Sequence, residues 1–302
     1  MDFYINQTQS TNGPSIFGSR LKNQLESDGL ISSEESVNRI NIILGESQKN
    51  KNNILRLDGL YLDSGNKLGD TDYLNNEILI SYNSSNKVVF QSYFSKKCYE
   101  EFMGKHKDSY VIRNGVPDIY FNNKSLPKAK KPKGFDKVVI ASAEWRRHKR
   151  IEEAIECFKS PKLKNVALVI LGGYKNVNLN NVFCLPKISP EILPRYYQMA
   201  DAMIHLSWLD WCPNSVVEGL GCGLPVLCSS NGGTKELVQE SGIIIEIEEP
   251  YKIGEKVDLY NPPNVDINYI TKKILDLIDM PKVNRSDLHI KNSAKLYKDL
   301  FV

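Results

Sequence analysis

LSWLDWCPNSVVEGLGCGLPVLCSSNGGTKELV, residues 206–238, is the stretch that decides the fold. An apolar run, Ala202 to Leu206, ends where it begins and predicts a buried strand. A loop follows, and Pro213-Asn214-Ser215 predicts a helix start, with Asn214 or Ser215 able to cap the free backbone N–H groups. The helix runs over Ser215 to Gly221, and Gly221 or Gly223 suits its end. Val226 to Cys228 is then a further apolar run. Strand, helix and strand in this order form a parallel unit whose helix covers the sheet.

The same alternation extends in both directions. Apolar runs at Val138 to Ala141, Val166 to Leu171, Val182 to Leu185 and Ile243 to Ile245 predict further strands around this unit. Ile151 to Lys159 and Pro190 to Met199 are amphipathic and predict helices between them. A weaker series precedes it: Phe3 to Ile5, Asn41 to Leu44, Ile54 to Leu57, Val88 to Gln91 and Val111 to Arg113. PKAKKPKGFDK, residues 127–137, separates the two series and is the expected hinge. The expected organisation is a domain over 1–126, a second over 127–284, and a last helix within 285–302, capped by Ser286 and packing back on the first domain. Each sheet would offer a crevice at the carboxyl ends of its strands.

Composition excludes several classes. The 302 residues suit two domains of ordinary size, and a hydrophobic fraction of 41% rules out disorder of the whole chain. A net charge of +3 from 39 basic and 36 acidic residues is too balanced for a nucleic-acid partner. The basic excess is local, at Lys124, Lys128, Lys130, Lys131, Lys133 and Lys137. That 124–137 segment reads as a solvated linker or as a face for peripheral contact with a membrane or an anionic acceptor. Six cysteines occur without a C-x-x-C pair, so no zinc site is expected. The start, MDFYINQTQS, has no signal-peptide pattern, and no apolar run approaches the about 20 residues needed to span a bilayer. A soluble, cytoplasmic protein is expected, with or without membrane association.

Two acids bracket the helix start of the opening stretch. Asp210 lies in the loop and Glu218 one turn inside the helix. Paired carboxylates accept hydrogen bonds from sugar hydroxyls, while a helix start attracts anions. Spacing alone leaves open that Asp210 caps a turn and Glu218 is a solvated helix residue. A second segment, VVIASAEWRRHKRIEEAIECF, residues 138–158, runs from a strand through Arg146-Arg147-His148-Lys149-Arg150 into a helix. Cations beside a helix N-terminus are disfavoured unless an anion is bound, so this loop reads as an anion site.

Asp210-x7-Glu218, then Cys222-Gly223-Leu224-Pro225-Val226, then Gly232-Gly233-Thr234-Lys235-Glu236 resembles the nucleotide-binding signature of glycosyltransferase family 4. The resemblance implies an α/β protein of GT-B fold, two Rossmann-like domains with parallel sheets facing across an interdomain cleft. It implies a retaining, metal-independent glycosyltransferase. Such an enzyme moves a sugar from a nucleotide diphosphate sugar to a glycan, lipid-linked or other hydroxyl acceptor, without a cofactor. Carried over residue by residue, Asp210 meets the donor sugar and Glu218 holds the ribose. Asn214, Ser215, Gly232 and Gly233 complete the donor contacts. Lys149 matches the family's phosphate-binding Lys. The family's Arg lies about five residues earlier, where this chain has Glu144, so Arg146 or Arg147 stands in. Asp at 210 and Trp at 211 depart from the more usual Glu and Gly. Gly13, in NGPSIFGSRL, resembles the family's N-terminal glycine loop, where Gly lets a backbone approach a donor closely. Arg56 and Asp58 end a strand where an acceptor enters, or form a structural ion pair. His106, the sole N-terminal His, lies outside any strand end.

Asp70-Thr71-Asp72 looks like the Asp-x-Asp of metal-dependent transferases, but no apolar strand precedes it and helix capping explains it better, so no metal site is expected. Two other functions suit the same fold: a sugar-nucleotide epimerase or phosphorylase, and a non-catalytic nucleotide-sugar binding module. An isomerised donor or free sugar as product marks the first, donor binding without turnover the second.

Overall fold

Two six-stranded sheets, every strand pair in them parallel, carry the chain. The computed structural model describes all residues except 9, 11, 43, 45–46, 63–70, 122–126 and 247–248. One unit comprises Met1–Pro117, Lys252–Asp258 and Asp287–Val302; the other comprises Asp118–Tyr251 and Leu259–Ser286.

The first unit holds β1 (Asp2–Asn6), β2 (Ile31–Ser32), β3 (Asn38–Asn41), β4 (Asn52–Arg56), β5 (Lys87–Phe90) and β6 (Ser109–Val111), in the order β2-β1-β3-β4-β5-β6. Its helices are α1 (Gly13–Ser27), α2 (Thr71–Ser84) and α3 (Tyr93–Met103). Asn12 caps α1 by accepting from the Ser15 amide at 3.0 Å, Pro14 fits the first turn, and Phe17, Leu21 and Leu25 repeat every fourth residue to bury one face. The predicted strand at Asn41 to Leu44 begins three residues earlier, and Ile43 lies outside the described residues. The shift has a physical reason: Asn38, Arg39, Asn52 and Asn53 are buried strand residues held by side-chain hydrogen bonds rather than by apolar runs.

The second unit holds β7 (Lys137–Ser142), β8 (Val166–Leu171), β9 (Val182–Cys184), β10 (Ala202–His205), β11 (Val226–Ser229) and β12 (Gly242–Ile245). Their order is β12-β11-β10-β7-β8-β9. All six residues of β8 are buried, as in a sheet covered on both faces. Among the described residues its α-helices are α4 (Ile151–Cys157), α5 (Leu193–Met199), α6 (Asn214–Gly221), α7 (Thr234–Val238) and α8 (Ile267–Ile278). The expected hinge at 127–137 is instead part of this unit. Ala129 donates to the Arg195 carbonyl at 3.0 Å, Arg195 Nε donates to the Pro127 carbonyl at 2.8 Å, and Lys131 pairs with Asp201 at 2.8 Å. The division falls at Pro117, ten residues before the Lys-rich run.

The chain end belongs to the first unit. A 3-10 turn over Ser286–Leu288 precedes α9 (Ile290–Lys298). The cap is His289, not Ser286, because His289 is extended and bridges Val116 before its ring accepts from the Lys291 amide at 3.1 Å. Gly115 permits this approach, since a Cβ there would lie 2.7 Å from the Ile290 Cα. Ile290, Ala294 and Tyr297 bury one face of α9, and the Tyr297 ring lies 6.2 Å from that of Phe17 on α1.

A polar latch completes the return. Asn38 Oδ1 accepts from Asn52 Nδ2 at 3.0 Å and from the Val302 amide at 2.9 Å, and Asn52 Nδ2 also donates to the Leu300 carbonyl at 2.9 Å. Both asparagines are buried, so lost partners are not replaced by water. Asn38→Ala should cost about 1–3 kcal/mol of stability in urea unfolding. An unchanged midpoint would show that the latch contributes nothing.

Candidate active site

Two loops leave the carboxyl ends of β7 and β10, which lie side by side. These are the first and fourth strands of the second unit. Connections run to opposite sides of the sheet from this point, and ligands of doubly wound sheets bind at such a switch. Loop 143–150 follows β7 and closes in a 3-10 turn, Arg147–Lys149. Loop 206–213 follows β10 and carries Asp210.

Lys149 and Asp210, separated by 61 positions in sequence, form an ion pair between Lys149 Nζ and Asp210 Oδ2. His205, the last residue of β10, places Nε2 3.2 Å from the same oxygen. The Trp211 amide donates to Oδ1 at 2.9 Å. Burial opposes ionisation of Asp210, but Lys149 and the His205 hydrogen bond outweigh it and hold the carboxyl well below its usual range. A carboxylate only accepts, so His205 donates through Nε2–H. Burial pushes the His205 imidazole down, Asp210 partly opposes this, and Lys149 lowers it further. His148 is pushed down to about 3 by burial and then by Lys149. Both rings are neutral near pH 7.

The loop after β11 fixes Asp210 from the other side. Gly233 N donates to the Asp210 carbonyl at 2.7 Å. Gly232 has φ +80, and a Cβ there would lie 2.7 Å from the Asp210 carbonyl oxygen and 2.8 Å from its nitrogen. Only glycine meets both demands. Four buried polar atoms, His148 Nδ1, Trp208 Nε1 and Asn231 Nδ2 in these loops and Thr234 Oγ1 at the start of α7, have no hydrogen-bond partner among the described residues. Such groups are costly to bury unpaired.

Glu218, in α6, is only 5% exposed and accepts from Tyr197 Oη of α5 at 3.1 Å. It is therefore a core residue, not a solvated one. The helix cap is Pro213, which has no side-chain acceptor; Asn214 and Ser215 are half-buried residues of the first turn rather than caps. The helix ends as expected, with Gly223 at φ +82 just beyond Cys222. Arg146 pairs with Glu144 at 3.3 Å and Arg147 with Glu153 at 2.6 Å, both partly exposed. The awkward charge expected of Lys149 is already compensated, because Asp210 supplies the anion. Arg150 is buried, sits at φ +54, and ties its Nη2 to the Pro263 carbonyl at 2.7 Å.

The remaining candidates lie in the first unit. Gly13 is the first residue of α1 and has no positive φ. Arg56 is buried over the Phe17 ring, pairs with Asp58, and donates to Asn114 Oδ1 at 2.7 Å. Gln91 Nε2 reaches Asp58 Oδ1 at 2.9 Å, while Asp58 keeps a 34% exposed side chain. Asp72 stands in the first turn of α2 and pairs with Lys256; Asp70 lies outside the described residues. His106 Nε2 donates to the Ser85 carbonyl at 3.2 Å, its Nδ1 accepts from the Asp108 amide at 3.1 Å, and the ring packs against Tyr82. Among the described residues, no group of three or more His, Cys, Asp or Glu is placed to hold a metal, and no helix is long and apolar enough to cross a membrane. His205 and Tyr197 escaped the sequence reading. A titratable residue closing an otherwise apolar strand was the available signal for His205.

Residues 122–260 match the model of the family described as Glycosyl transferases group 1. The chain is 22% identical over 206 residues to the N-acetyl-alpha-D-glucosaminyl L-malate synthase of Bacillus anthracis, a match covering 63% of this chain and 54% of that protein. It thus spans about half the length of that relative. It is similar in structure to sucrose-phosphate synthase from Thermosynechococcus elongatus, with a TM-score of 0.69 at 14% identity over 99% of this chain and 94% of that one. It is also similar to Anabaena HepE in complex with UDP-glucose, with a TM-score of 0.60 at 15% identity over 99% and 95% of the two chains. These likenesses establish the fold, two Rossmann-like units of GT-B type. Lys149, Asp210, Glu218 and the Gly232-Gly233 turn all fall inside the matched segment. Residues 122–260 thus match the Glycosyl transferases group 1 model within a chain of GT-B fold.

Proposed function

We propose that this protein is a retaining, metal-independent glycosyltransferase. It transfers a sugar from a nucleotide diphosphate sugar to a hydroxyl of a glycan, lipid-linked or other acceptor. One observation carries the reading: Lys149 and Asp210, distant in sequence, meet at the switch point of the second sheet. There Asp210 accepts from a donor-sugar hydroxyl and Lys149 faces the diphosphate. Glu218 holds the ribose. The acceptor oxygen attacks C1 on the face the diphosphate leaves. The C1–O bond to phosphate breaks, the new C1–O bond forms, and the hydroxyl proton passes to the departing phosphate oxygen. Charge grows on that phosphate, and a fixed cation lowers the barrier by being in place beforehand. Asp58, partly exposed and held by Arg56 and Gln91, is the proposed acceptor contact.

A screen of UDP-, GDP- and ADP-sugars by thermal shift tests the donor class, since a ligand of the native state raises the midpoint. No shift with any of them removes the proposal. Product analysis then separates transfer from an isomerised donor or released sugar. Lys149→Ala should lower turnover roughly a hundredfold or more, with a smaller change in donor Michaelis constant. Arg146→Ala and Arg147→Ala, measured beside it, identify any Arg partner. Parent rates in all three variants would reduce the loop to a solvated surface. Because the Lys149 variant strands a partly buried carboxylate, its melting midpoint is recorded with its rate.

Glu218→Gln preserves the volume of a buried residue. It should weaken nucleoside diphosphate binding by about 1–3 kcal/mol in calorimetry. Unchanged affinity would take the ribose away from Glu218. Turnover should survive EDTA at its original rate, since Lys149 supplies the charge a metal otherwise supplies. Loss with EDTA and recovery with magnesium or manganese would contradict this.

A further inference from the structure

Lys149 has two tasks that compete. In the structure it neutralises Asp210; in the proposed reaction it must turn to the diphosphate. Asp210 is too enclosed to be left without compensation, at 13% exposure of its side chain. Its other partners decide whether it keeps its place when Lys149 turns away. We infer that His205 is a positioning residue that holds the Asp210 carboxylate for the donor sugar while Lys149 serves the diphosphate, an inference that rests on the function proposed above.

The geometry separates the two partners by rigidity. His205 ends β10, which is hydrogen-bonded to β7 on one side and β11 on the other, and its side chain is 4% exposed. It cannot follow a ligand. Lys149 is 17% exposed on a four-carbon stem and pairs with Asp210. Lys149, His205, Arg150, Ala141 and Trp145 line a cavity of about 10 Å³, space for roughly one water, so the ammonium is not clamped by packing. Asp210 itself is pinned through the Trp211 and Gly233 amides, so its backbone stays while its ion pair opens. His205 is a neutral donor, by its burial. It directs the carboxylate without adding a positive charge that would draw the diphosphate away from Lys149.

The test exploits the division of labour on the donor. Asp210 serves the sugar, not the nucleotide. His205→Leu should lower kcat/KM for the sugar nucleotide found in the screen by about tenfold to a hundredfold, the scale of one hydrogen bond to a charged group. Its affinity for the matching nucleoside diphosphate, measured by calorimetry, should stay within about threefold. A loosened fold would weaken both. His205→Gln, whose amide nitrogen reaches about as far as Nε2, should restore most of the loss; His205→Asn, one carbon shorter, should not. In an Asp210→Asn background, His205→Leu should add less than about twofold, because contacting residues are not additive. If His205→Leu does not melt cooperatively, the Gln and Asn pair carries the comparison. Equal rates for Gln, Asn and parent overturn the inference, as does full additivity in the Asp210→Asn background. A parent that binds no sugar nucleotide overturns the proposed function, and this inference with it. A parent that turns over while all His205 variants match it overturns the inference alone.

Discussion

The site depends on keeping one enclosed carboxylate ionised. Asp210 is largely withdrawn from water, which by itself favours the neutral acid. Lys149 from the loop after β7 and His205 from the end of β10 reverse that preference. The compensation is possible because those two strands are neighbours. Neighbouring strands that are first and fourth in sequence are the defining feature of this doubly wound sheet. Topology thus brings a cation and an anion together across 61 positions, and the charge pair joins two loops that are also tied by the Trp208 amide, which donates to the His148 carbonyl at 2.8 Å.

Several local features follow from that requirement. Asp210 must sit where its carbonyl meets the Gly233 amide, which admits only glycine at 232. Lys149 must emerge beside β10, so the chain turns through a 3-10 segment and a left-handed Arg150 before α4 can start. A left-handed arginine is unfavourable by itself. Here its guanidinium is buried and bonded to the Pro263 carbonyl, so the strained turn also anchors the segment before α8. The second acid follows a different rule. Glu218 projects from a regular helix into the core and accepts from a neutral donor, Tyr197. One signature acid is therefore held by charge and the other by a phenol, which separates sugar chemistry from nucleotide binding in the proposed reaction.

The second sheet was legible because its strands are buried on both faces, and unbroken runs such as Val166 to Leu171 follow from that. In the first sheet the strand residues Asn38, Arg39, Asn52 and Asn53 are polar and buried, so hydrophobicity misplaced the edges and missed the two-residue β2. The Lys-rich run resembled a linker by composition, yet its backbone and Lys131 are bonded to α5 and Asp201. The last helix was legible as a helix but not in its start, since the bridge to Val116 that extends His289 is a tertiary contact. For the site, residue types and spacing drew attention to two acids and a basic loop, and the resemblance to family 4 singled out Asp210, Glu218 and Lys149 among them. Their partners were not legible: His205 looks like any strand residue until the fold places it beside a carboxylate.

The departure from Glu to Asp at 210 has a physical account in this setting. An aspartate carboxylate lies one carbon, about 1.5 Å, nearer its backbone than a glutamate carboxylate. His205 meets Oδ2 at 3.2 Å from a rigid strand end, so a longer side chain would carry the oxygens past that donor. It would also forfeit the Trp211 amide, which reaches Oδ1 only because the side chain folds back on its own loop. The shorter acid is thus suited to a fixed imidazole, and the imidazole to the shorter acid. The two are a coupled pair, a neutral donor at a strand end and a carboxylate short enough to stay within its reach.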